Sequence, residues 1–120
     1  MKAYFLAIIV LCIVFVMNIF GIDGLYVQFP PYDIFMHILG GIGIGLAAFA
    51  FVSIHGKDIV HKRLAVILIV LVAGLIWEGF EAYYNIAGGP VGSLPYYLDT
   101  AKDLFDDVIG GSLIAWLMMR

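Results

Sequence analysis

The sequence predicts an all-α integral membrane protein, an antiparallel four-transmembrane-helix bundle forming one domain over 1–120. Three observations predict it. Of 120 residues, 64% are hydrophobic and 12% charged, against roughly 45–50% apolar and ~25% charged in a soluble domain. The apolar residues fall into four runs, each near the ~20 residues that carry a helix across a ~30 Å hydrocarbon core. All four prolines, Pro30, Pro31, Pro90 and Pro95, lie between those runs, where a missing N–H costs little. The mean hydropathy of +1.09 excludes an ordinary soluble enzyme and a disordered chain. A net charge of −3 excludes a nucleic-acid binder, which needs a basic patch. Cys12 is alone, so neither an internal disulfide nor a cysteine zinc cluster is available.

The first span covers 3–22 and is free of charge through Phe20. It is long for a signal-peptide core and lacks a small-x-small cleavage site, so it is expected to be a retained helix. The second span covers 33–54 and interrupts its apolar run with Asp33, His37 and Ser53. The third, 64–86, carries Glu78, Glu81 and Asn85, and the fourth, 98–119, carries Asp99, Lys102, Asp103, Asp106 and Asp107. Apolar residues occupy both parities in every run, which points to helices rather than barrel strands. Gly41-x-x-x-Gly45 in the second span and Gly110-Gly111 in the fourth allow close helix packing, within the chain or in a homo-oligomer. The glycines lie inside a helix, so they make no phosphate cradle.

Orientation follows from the basic residues. Lys2, Lys57, Lys62, Arg63 and Arg120 lie at the two ends and in the middle linker. With four spans these places share one side, which the positive-inside rule makes cytoplasmic. Both termini are therefore expected in the cytoplasm of a multi-pass cell-membrane protein. The two Pro/Gly linkers then face outward, with Tyr26, Tyr32, Tyr83, Tyr84, Tyr96 and Tyr97 as an interfacial belt.

The acids lie opposite the bases. Asp58 alone is on the basic side, and the other eight acids belong to the outer half with Lys102. Counting inward at ~1.5 Å per residue, His37, Glu81 and Asp103 come out ~6 Å deep, and Glu78, Asp106 and Asp107 ~10–12 Å deep. Helical spacing sets Asp33 with His37, stacks Gly74, Glu78, Glu81 and Asn85, and stacks Asp99, Asp103, Asp106 and Gly110. A carboxylate at membrane depth costs several kcal/mol if ionised and unpaired, so these groups must converge on the interior. Their mutual repulsion is relieved either by a bridging divalent cation or by protonation of some acids.

The expected metal ligands are His37, Glu81 and Asp103, with zinc, manganese or iron suited to mixed carboxylate and imidazole donors. Glu78 and Asp106 are the expected catalytic or further ligating acids, and Asp33, Asp99 and Asp107 the rim or second layer. No organic cofactor is expected. A one-sided site of this kind suits action on a lipid or lipid-linked envelope molecule. The alternative is a small ion or proton transporter using the same acids, which an almost wholly apolar inner half disfavours.

The ordered set Asp33-x-x-x-His37, Trp77-Glu78-x-x-Glu81 and Asp99-Thr100-x-x-Asp103 with Gly110-Gly111 resembles the YjdF-like and VanZ-like small polytopic membrane proteins. The resemblance covers roughly the last three helices. It implies a polytopic helical fold whose acids form one site.

The orientation is checked by cysteine labelling in a Cys12→Ala background. A cysteine introduced beside Gly89 is expected to react with an impermeant reagent in intact cells, and one at Lys57 only after lysis.

Overall fold

The computed structural model describes residues 2–119, and Arg120, counted above with the basic side, lies outside them. Four long helices follow the four apolar runs: α1 (Lys2–Phe20), α3 (Pro31–His55), α4 (Lys62–Tyr84) and α5 (Leu94–Met118), with a one-turn helix α2 (Tyr26–Gln28) between the first two. A π turn, Gly21–Leu25, joins α1 to α2. Gly24 sits there at φ 143°, ψ −15°, a conformation that only glycine adopts readily.

The helix ends depart from the apolar runs where local chemistry overrides hydropathy. The fourth helix begins at Leu94 rather than Leu98, because Ser93 caps it and Pro95 fits its first turn. Ser93 Oγ accepts the Tyr96 N–H at 3.4 Å. The third helix ends at Tyr84, because Asn85 takes a left-handed conformation at φ 56° and closes the helix end. Asn85 is therefore a cap rather than a member of the Glu78–Glu81 stripe. At the other end of the bundle, Arg63 Nη2 donates to the Met119 carbonyl at 2.8 Å. Its guanidinium lies 5.0 Å from the Trp116 ring centre, placing a cation where the α5 dipole is negative.

Three helices are long and apolar enough to cross a membrane, Lys2–Gln28 (counting the π turn and α2), Pro31–His55 and Lys62–Tyr84. Four were expected to qualify. The 25-residue α5 runs the length of the bundle beside them, with Asp103, Asp106 and Asp107 buried inside it. The outward surface is apolar, with Phe5, Phe15 and Ile76 about 70% exposed. In water such a surface would drive association; in a bilayer it meets acyl chains.

Neighbours in sequence pack antiparallel, but the most intimate pair, α3 and α5, is parallel. Along it Asp33 and His37 meet Lys102 and Asp103, Gly41 meets Asp107 and Gly45 meets Gly111. The glycines make this approach possible, since a Cβ on Gly41 would fall on the Asp107 carbonyl and one on Gly110 on the Ile38 carbonyl. The Gly41–Gly45 stripe is thus occupied within the chain by α5. Below it, Ala48 and Val52 of α3, Val66 of α4 and Ala115 of α5 form a small apolar core. Among the described residues, α3 is the one long helix whose backbone α1 approaches closely, with Val10 and Leu11 against Gly43 and Ala7 in a small cluster with Leu46 of α3 and Ile114 of α5.

Gly41→Ala is expected to force α3 from α5 and cost ~1–3 kcal/mol, the usual penalty of overpacking. Gly79, whose Cβ would meet nothing within 4 Å, is the control: Gly79→Ala should stabilise by ~0.5–1 kcal/mol through helix propensity. Thermal unfolding in detergent checks both.

Candidate functional site

The acids converge at the end of the bundle away from the basic linker, on the faces of α3, α4 and α5 turned toward one another. His37 is at the centre and is buried. Its Nδ1 lies 3.2 Å from Asp107 Oδ1. An ionised carboxylate only accepts, so this contact places a proton on Nδ1, while Nε2 carries a lone pair in the neutral ring and a second proton in the imidazolium. Nε2 points at two further carboxylates, Asp33 Oδ1 at 3.6 Å and Asp103 Oδ2 at 3.5 Å. Neither distance is a hydrogen bond.

Lys102 accounts for the other oxygens. Its ammonium donates to Asp33 Oδ2 at 2.6 Å and to Asp103 Oδ1, and it stands 3.7 Å from Asp106 Oδ2. It thereby orients Asp33 and Asp103, presenting the remaining oxygen of each to His37. The sequence alone presents Lys102 only as a companion of the acids. The signal was available, because Lys102 adjoins Asp103 and is four residues before Asp106.

A second cluster lies beside the first. Glu78, Glu81 and Asp103 each bring an oxygen within 4.8 Å of the others, as do donor atoms of Asp33, His37 and Asp103. Both groups are close enough to hold a metal ion. The expected trio of His37, Glu81 and Asp103 is divided between them, with Asp103 common to both. Thr100 Oγ1 donates to Glu78 Oε2 at 2.9 Å, and Trp77 Nε1 donates to Glu81 Oε1 at 2.8 Å. Glu78 Oε1 and Asp106 Oδ2 are buried without a hydrogen-bond partner, an arrangement that costs ~1–3 kcal/mol or more unless something answers it.

Asp99 stands apart from both groups. Its Oδ2 accepts the Gly88 N–H at 2.8 Å and ties the α4–α5 loop to α5. It also helps line a vestibule of about 520 Å³ with Asp33, Glu81 and Lys102. Asn18 and Tyr26 line the same vestibule, and Tyr26 Oη donates to Asn18 Oδ1 at 2.6 Å. These two residues bring α1 and α2 to the site, where the sequence reads Asn18 only as part of a span and Tyr26 only as part of the interfacial belt.

Thr100→Val removes a hydrogen bond to a charged group, worth ~1.5–3 kcal/mol, and leaves Glu78 with no remaining partner. A lower melting temperature in detergent is expected, while Thr100→Ser should stay near wild type.

The family model described as a predicted membrane protein (DUF2238) matches residues 2–120. No curated protein and no solved structure matches the chain. With a match over nearly its whole length, helices fit to cross a bilayer and charges turned inward, the chain belongs to the DUF2238 family of predicted membrane proteins.

Proposed function

We propose that this membrane protein holds a divalent cation between α3 and α5, facing the extracytoplasmic side, and acts there on a lipid or lipid-linked envelope molecule. The observation that carries the reading is His37, whose Nε2 lone pair faces Asp33 Oδ1 at 3.6 Å and Asp103 Oδ2 at 3.5 Å. With the ring neutral, three electron-rich atoms so arranged repel one another unless a positive charge lies between them, and the two charges that can stand there are a metal ion and the proton of an imidazolium. Donors on a tetrahedral ion with bonds of ~2.0–2.2 Å stand ~3.3–3.6 Å apart, which matches both separations. His37, Asp33 and Asp103 are the proposed ligands, with zinc, manganese or iron the ions that suit them.

The neighbouring groups support the same reading. Asp107 holds the His37 ring and its tautomer, as carboxylates behind metal-bound imidazoles do. Lys102 fixes the other edges of Asp33 and Asp103. Glu78 and Asp106, each with a buried unpartnered oxygen, are the proposed proton acceptors, and Glu81 with Asp99 shapes the vestibule through which a head group enters. A divalent ion there supplies Lewis-acid polarisation of a phosphoryl or carbonyl oxygen. The motifs shared with YjdF-like and VanZ-like chains fit such a place in the cell envelope. Toward the basic end the buried residues include Ala48, Val52, Val66, Val70 and Ala115. That interior supports a one-sided pocket over an ion or proton pathway.

Elemental analysis of protein purified without chelator is expected to find stoichiometric divalent metal, lost in His37→Ala. Asp107→Asn should weaken affinity ~10–100-fold, the usual effect of removing the group behind a ligating imidazole. Protons compete with metal for His37 and the carboxylates, so occupancy should fall as pH is lowered and protons should be released on binding. Metal-free protein of undiminished stability that carries protons into liposomes would replace this reading with the transporter.

A further inference from the structure

The site has a second approach, from the side. Among the described residues the backbone of α1 comes close to α3 and not to α4, and a cleft of about 270 Å³ is lined by both α1 and α4. Its walls are Leu11, Val14 and Phe15 of α1 and Val70, Ala73 and Trp77 of α4. Its floor is the α3 surface at Gly40, Gly41 and Ile44. Gly40 keeps that floor flat: a Cβ there would meet only Asp107 Oδ1, at an ordinary 3.9 Å. Position 40 therefore has room for a side chain that this sequence leaves out.

The cleft is polar only near the metal-ligand cluster. His37 and Asp107 line it there, and Asn18 and Tyr26 line both the cleft and the vestibule. The two cavities are thus neighbours that share the hydrogen-bonded Tyr26–Asn18 pair as lining. Ordered water needs two to four polar partners, and the walls from Leu11 to Val70 provide none. The medium surrounding this protein supplies hydrocarbon instead. From His37 to Ile44 the helix rises ~10 Å, a length within one ~15 Å leaflet of the ~30 Å hydrocarbon core.

We propose that the cleft between α1 and α4 receives one acyl chain of a bilayer lipid, entering laterally, with the lipid head group in the vestibule beside Asn18 and Tyr26. The occupant is committed by three features together: apolar walls, a lining shared with the adjacent acidic vestibule at Asn18 and Tyr26, and a floor of glycine at the depth of one leaflet. The chemistry at the head group rests on the preceding reading; occupancy of the cleft does not.

The test uses the full chain in nanodiscs containing trace phosphatidylglycerol with a diazirine on one acyl chain. After illumination, adducts are mapped by peptide mass spectrometry. Adducts are expected at Val14 and Ala73 in addition to the outward-facing Ile8 and Ile76. Gly40→Leu should fill the cleft and lower the Val14 and Ala73 adducts at least fivefold, leaving Ile8 and Ile76 unchanged. Ala73→Leu fills it from the opposite wall, should lower the Val14 adduct likewise, and carries the test if Gly40→Leu does not fold. Asp103→Asn removes a proposed metal ligand outside the cleft and should leave the adducts intact, so failure of metal binding and failure of lipid binding are read separately. Cleft adducts insensitive to both filling substitutions, or crosslinks from Val14 or Ala73 to a second copy of the chain, would overturn the proposal.

Discussion

An ionised carboxylate at the depth of a bilayer core needs a partner other than lipid, and α5 carries three that are buried, Asp103, Asp106 and Asp107. The rest of the bundle is arranged around that requirement. Its α5 lies against both α3 and α4, because only an interior position lets every acid face protein. Glycines at 41, 45, 110 and 111 bring α3 and α5 close enough that His37 reaches Asp103 and Asp107 directly. Small residues are how helices associate where lipid tails compete equally for apolar surface. Here they also place the one buried imidazole among the acids.

Within the cluster two carboxylates, Asp33 and Asp103, each serve two neighbours. Asp33 and Asp103 give one oxygen to Lys102 and turn the other toward His37. Lys102 is long enough to reach both from a partly exposed position, keeping its charge near water while its stem lies along the protein. Glu78 is secured by Thr100 on one oxygen only. The cluster has more acidic than basic groups, and its geometry divides the Asp33 and Asp103 oxygens into a pair that Lys102 binds and a pair that faces His37 Nε2.

The first helix has a different role. It carries no buried acid, and a single residue, Ala7, is buried along its length. Its position on α3 leaves open the cleft toward α4, and its π turn delivers Tyr26 beside Asn18 at the mouth of the acidic vestibule. Gly24, in a conformation costly for any other residue, permits the bend that brings the chain back toward α3. A polar pocket and an apolar cleft thus share one rim, the physical combination that an amphiphile requires.

The sequence by itself determined the four helices, their ends to within a few residues, and the gathering of acids at one end, because hydropathy and helical rise are local properties. It also showed that His37, Glu81 and Asp103 lie at similar depth. Tertiary structure decided which of them meet. Depth depends only on residue count along each helix, whereas contact depends on helix rotation and on which helices are neighbours, and both were set by the glycine contact between parallel α3 and α5. That contact joined His37, already beside Asp33 on the same helix, to Asp103 and Asp107, and left Glu81 with Glu78 across Asp103. Caps behaved in the same way: Ser93 and Asn85 moved two helix ends through single hydrogen-bonding and backbone choices that an apolar run does not register. The involvement of Asn18 and Tyr26 became visible only when distant segments were brought together, since neither lies near an acid of the site in the sequence.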